Sequence, residues 1–96
     1  MTAAADTAKN QLLGDVESLS SALKAAPPSP EIEKAIYQCD RLHVAVRSSH
    51  NEGTRFAAFT LNKIVRDLGD AAPAPVVENM ARVRAGLDAM GVELQK

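Results

Sequence analysis

All five prolines of this chain fall in two short segments, Pro27-Pro28-Ser29-Pro30 and Pro73-Ala74-Pro75. Proline has no backbone N–H and its ring clashes with the preceding turn, so it breaks helix interiors but is tolerated in a first turn. The two segments are therefore connections, and the stretches between them have helical apolar spacing. The first stretch, about residues 5–25, carries Leu12, Val16, Leu19 and Leu23. The last, about residues 75–95, carries Val76, Met80, Val83, Leu87, Met90 and Leu94. Steps of three and four place each set on one narrow stripe, as at the seam of a helical bundle. Methionines in such a stripe read as core filler rather than as metal or haem ligands.

Local signals agree with this division. Ser29 suits an N-cap, Pro30 the first helical position, and Glu31 and Glu33 complement the positive end of the helix dipole. Gly69, after Asp67-Leu68, reads as a helix stop. Between Pro30 and Leu68 the pattern allows one long helix or two of similar length with a turn near Ser48–Thr54. Ser-Ser-His-Asn-Glu-Gly-Thr has poor helix propensity, and Ser49 with Glu52 three residues on could form a capping box that restarts a helix. The break is the preferred reading. It gives an all-α, up-down-up-down four-helix bundle, a monomer in a single domain spanning residues 1–96. The unbroken alternative gives three helices with a long central one, whose apolar face would need a dimer partner.

Composition narrows the class further. Aromatic residues make up only 3% of the chain against 46% hydrophobic residues overall, so the core must be mostly aliphatic. That suits packed helices better than a sandwich. A net charge of −1 gives no bulk electrostatic case for nucleic acid or an anionic membrane. The single cysteine, Cys39, excludes an internal disulfide framework and a cysteine-based zinc cluster within one chain. No segment approaches the ~20 apolar residues of a membrane helix. The N-terminus lacks a basic region followed by an apolar run, so a soluble cytoplasmic protein is expected.

The chemistry-bearing residues concentrate in one region. From Arg41 to Arg66 there are five basic residues (Arg41, Arg47, Arg55, Lys63, Arg66) against one acid, Glu52. The bland reading is solvated helix faces; the functional one is a surface that meets an anionic group or an acidic partner. His43 sits in the helical pattern, with Cys39 and Asp40 one turn back and Arg47 one turn on. A neutral imidazole is nucleophilic near pH 7 and can carry a phosphoryl group, given access and donors for the phosphate oxygens. On the helical wheel, Ile32, Ala35, Cys39, Leu42 and Val46 define a buried arc with His43 at its edge. A lone histidine there can equally be a hydrogen-bonded structural residue.

His43, Ser49 and Gly53 stand in the register of the pattern H-x-x-K-G-x-S-x-x-x-G, and Ser48 and Asn51 also match residues common with it. The chain thus resembles histidine-phosphotransfer (HPt) domains, the four-helix relay modules of two-component signalling. In place of the family's lysine and glycine stand Val46 and Arg47. The resemblance implies that His43 accepts a phosphoryl group from a response-regulator receiver aspartate and returns it to another, without ATP or a cofactor. It implies that Arg47 and Ser49 stabilise the phosphate and that Gly53 permits close packing beside the site.

Tyr37 and Val44 fall on the otherwise polar side of their helix. On the following helix, Ala57, Leu61, Ile64, Val65 and Leu68 form a buried arc that leaves Phe56 and Phe59 toward Lys63 and Arg66. Together Tyr37, Val44, Phe56 and Phe59 would make an apolar docking patch with a basic rim. The alternative function is a non-catalytic bundle, an adaptor or antiactivator that binds a protein through this patch. No metal site is expected, because Cys39, His43 and His50 align only if the helix is unbroken and have no carboxylate partner. Glycine-rich phosphate loops, nucleophile elbows and a positive recognition helix are all missing from the sequence.

Overall fold

A computed structural model describes residues 3–92. Four helices follow one another, α1 (Ala3–Ala25), α2 (Pro30–Arg47), α3 (Asn51–Leu68) and α4 (Ala74–Ala89), with one 3₁₀ turn at Gly69–Ala71 before the last. They form an antiparallel bundle with extents of 41 × 20 × 20 Å. Helix α1 packs against both α2 and α4, α2 packs against α3, and the α3–α4 seam is the thinnest.

The stripes legible in the sequence are the core. Leu12, Val16, Leu19 and Leu23 of α1 meet Ile32, Ala35, Cys39, Leu42 and Val46 of α2, all buried. Helix α3 contributes Ala57, Ala58, Leu61 and Val65, and α4 contributes Val76, Met80, Val83 and Leu87. Each fully buried Leu or Val supplies roughly 1.5–3 kcal/mol relative to exposure. Alanines at 35, 57 and 58 let the α2 and α3 backbones approach without bulky rings. Gly86 does the same for α4, since a Cβ there would lie 3.1 Å from Leu12 Cδ1.

The caps explain where the chain turns. Ser29 takes extended backbone, and its Oγ accepts the Ile32 N–H at 3.1 Å with Pro30 in the first helical turn. The central segment breaks, as its composition suggests, and the break removes the long-helix alternative. Its device differs from the expected capping box. The cap residue of α3 is His50, one position later than Ser49, and His50 Nδ1 accepts the Gly53 N–H at 2.9 Å. Ser49 instead takes the left-handed region at φ 57°. The His50 N–H donates to Ala45 O and the Ser49 N–H to Val46 O, which closes α2 with a Schellman pair.

The last helix is shorter than the expected span of residues 75–95. It ends at Ala89 because Gly91 turns left-handed at φ 82°, and Val92 N–H and Gly91 N–H donate back to Leu87 O and Asp88 O. The stripe residue Leu94 lies outside the described residues.

Candidate functional site

His43 sits in the second half of α2, with its side chain 24% exposed. It lines an open groove between α1 and α2 together with Glu17, Ser20, Lys24, Asp40 and Val44. The ring faces α1 because His43 lies next to Leu42 on the flank of the buried arc, and α1 is the neighbour on that side. Its Nε2 donates to Glu17 Oε2 at 2.9 Å, and Glu17 itself is 66% exposed. An ionised carboxylate has no hydrogen to give, so the proton of this bond belongs to the imidazole. In a neutral ring, the lone pair is then left on Nδ1.

The charges around the groove are mixed. One cation, Lys24, and two carboxylates, Glu17 and Asp40, line it with His43. Arg47, one turn beyond His43, is exposed at the C-terminal end of α2. Val46, where the HPt pattern has lysine, is 2% exposed and belongs to the core. A cation at that position would have to be desolvated among Leu42, Ala58 and their neighbours, so positive charge on this helix reaches solvent only one residue later.

Compared with protein-family models, with curated proteins and with solved structures, the chain matches none.

The geometry of the site separates residues that the sequence grouped together. Tyr37 and Val44 are exposed and line a second groove, on the α3 side of α2, with Arg41, Ala45, His50 and Gly53. Arg41 lies over the Tyr37 ring, 5.6 Å from its centroid, and also donates to the Tyr37 hydroxyl at 3.2 Å. Phe56 is 62% exposed, one turn along α3 from Gly53, and Phe59 is exposed one turn further. Asp40 and Val44 line both grooves and form the ridge between them. The imidazole of His43 thus opens on one side of α2, and the apolar groove opens on the other.

Ser49 belongs to the turn. Its Oγ accepts from Lys9 Nζ at 3.0 Å, which ties the start of α1 to the α2–α3 connection. Gly53 leaves room for the His50 ring, because a Cβ there would sit 2.7 Å from Nδ1 and 3.4 Å from Ala45 Cβ. His50, aligned with Cys39 and His43 only in an unbroken helix, caps α3 with its own Nδ1. Among the described residues, no group of three His, Cys, Asp or Glu side chains is placed to hold a metal ion. None of the helices described is long and apolar enough to cross a membrane.

Two residues near the histidine escaped the sequence reading, Glu17 and Lys24. They lie seven apart on α1, beside the Val16–Leu23 stripe, so both emerge on the edge that meets α2. That spacing was the available signal. Cys39 lines the same groove but is buried, and its thiol is pushed up to about 12 by burial first and by the Asp40 charge second, with Lys24 opposing. Such a thiol stays protonated and is no nucleophile.

Proposed function

We propose that the chain is an HPt-like module, in which His43 carries a phosphoryl group between receiver-domain aspartates. The observation that supports this reading best is a partly exposed histidine on α2 of an antiparallel four-helix bundle, one ring nitrogen held by a carboxylate from α1. In the forward step, the imidazole lone pair attacks the phosphorus of an aspartyl phosphate. The P–O bond to the acyl oxygen breaks, and the aspartate leaves as a carboxylate with the electron pair. The reverse step gives the phosphoryl group to a second aspartate. Arg47, exposed one turn along the same helix, is the cation that this reading assigns to the phosphate, and Ser48 and Ser49 keep the following turn small. Transfer is tested with receiver domains charged by acetyl phosphate. Acid-labile label on the wild type that disappears in His43→Gln supports the relay, and no label from any receiver rejects it.

A second reading is a non-catalytic adaptor that binds a protein partner. It is favoured by the apolar groove of Tyr37, Val44 and Ala45, which lies on the opposite flank of α2 from the imidazole. An adaptor of this kind binds its partner equally well after His43→Gln, whereas a relay loses transfer.

A further inference from the structure

We infer that the outward stripe of α3 pairs, antiparallel, with the same stripe of a second copy of this chain, about a two-fold axis between Phe56 and Phe59. The inference rests on neither the relay nor the adaptor reading. The chain has one tyrosine, two phenylalanines and no tryptophan, and all of these rings are exposed around a core built without aromatics. Aromatic side chains ordinarily supply much of a core, so their uniform exposure marks a surface with a use of its own. Thr54, Ala57, Leu61 and Val65 turn the inner side of α3 toward the bundle. Glu52, Phe56, Phe59 and Lys63 take the opposite side, at steps of four, three and four, the spacing of a helix-pairing seam. All four are exposed.

The order of that stripe is self-complementary. Glu52 and Lys63, one acidic and one basic, each lie four residues outside the phenylalanine pair. In an antiparallel pair Phe56 meets the second copy's Phe59, Glu52 meets the second copy's Lys63, and the two-fold axis repeats both contacts. Arg55 then falls opposite the second copy's Thr60, and Arg66 falls beyond the start of its α3, so neither cation faces another. Lys63 already donates to Asp67 at 3.0 Å, but that exposed contact uses one of three N–H donors. A uniformly acidic partner would attract Lys63 and repel Glu52, whereas a second copy answers both charges. The bundle core is complete without this contact, so folding does not depend on it. One helix pair covers less than the ~1,200 Å² of a standard interface, so the association is reversible and depends on concentration. Phe56 serves a second copy or another partner, not both at once.

Sedimentation equilibrium of the full chain at low salt, up to millimolar protein, tests the pairing, with the fold of each variant checked by circular dichroism. The wild type is expected to show a reversible monomer–dimer equilibrium. Glu52→Lys or Lys63→Glu alone sets like charges opposite each other twice per dimer, so the dissociation constant should rise roughly tenfold. Glu52→Lys and Lys63→Glu together restore both pairs with reversed sign and should return the constant close to the wild-type value. Phe56→Ser with Phe59→Ser should abolish the dimer, whereas His43→Gln should leave it unchanged, whatever becomes of phosphoryl transfer. A wild type that stays monomeric overturns the pairing and leaves the stripe to another protein. A dimer that survives the loss of both rings, or a double charge reversal that associates no better than the single ones, overturns it as well.

Discussion

The imidazole of His50 caps the helix that Gly53 helps to open, with Nδ1 accepting the Gly53 N–H at 2.9 Å. The two residues fit only as a pair, since a Cβ at position 53 would lie 2.7 Å from that nitrogen. Gly53→Ala therefore expels the ring and forfeits the cap, a loss of about 1 kcal/mol. Against it stands the gain from alanine in a helix, roughly 0.5–1 kcal/mol. The wild-type background should show a small net loss. In a His50→Ala background the cap is already gone, so the same change at 53 should stabilise. Urea unfolding of the four proteins gives the coupling energy directly. Equal effects of Gly53→Ala in both backgrounds would mean that the ring is not the obstacle.

Ser49 occupies the left-handed position of the α2 closure, where glycine is ordinarily found, as Gly91 is at the end of α4. An L-residue with a Cβ is strained there. Ser49→Gly should raise stability by about 0.5–1 kcal/mol, because the Lys9 contact that it gives up is exposed and worth little. The same measurement separates two roles for the hydroxyl. If Ser49 only shapes the turn, the glycine variant is more stable and its His43 labelling is unchanged. Slower labelling would return a phosphate contact to Ser49.

Much of the fold was readable because its signals are local and periodic. Leu12, Val16, Leu19 and Leu23 repeat at three and four, and Ser29-Pro30 is a cap with its own chemistry. The outward placement of Phe56 and Phe59 followed from the arc of Ala57, Leu61 and Val65, which uses up the buried side of α3. Two features were not readable. Histidine is an uncommon cap, so position 50 gave no sign that its ring would replace the expected Ser49 hydroxyl. The Glu17–His43 bond joins residues on different helices, and its existence depends on an axial offset that no single-helix pattern contains. The end of α4 was misread for a related reason. The apolar rhythm runs on through Met90, while Gly91, a one-residue signal, ends the helix.

Cys39 makes the alkaline limit of the fold measurable. Its thiol, pushed up to about 12 by burial with Asp40 adding to the effect, is neutral in the folded chain well past the point where an unfolded thiol ionises near pH 9. The folded value is the higher one, so the contribution to stability is fully present below about pH 9. It is lost as the pH climbs toward 12, at a limiting slope of about 1.4 kcal/mol per pH unit. Cys39→Ala should be less stable at pH 7, since it leaves a small cavity, yet the gap to the wild type should close as the pH rises above 9. Lysine and tyrosine ionisation affects both proteins alike, so the difference isolates the thiol. A thiol reagent at pH 8 should also react with the native protein far more slowly than with the unfolded chain.

On the relay reading, the two grooves of α2 would make binding and phosphoryl chemistry separable. Tyr37 and Phe56 are more than half exposed, so Tyr37→Ala and Phe56→Ser should each change stability by no more than about 0.5 kcal/mol. Neither lines the groove of His43, and labelling by a small phosphodonor should be unaffected. Transfer from a receiver, however, requires the two proteins to dock, and removing an exposed aromatic from a docking surface typically weakens binding by roughly tenfold or more. Receiver-dependent labelling should therefore fall through a raised KM, with the rate at saturation preserved. Val44→Asp, on the ridge common to both grooves, should impair both processes. If Tyr37→Ala and Phe56→Ser leave receiver transfer intact, docking occurs on the α1 side beside His43. The α2–α3 groove would then belong to a different partner.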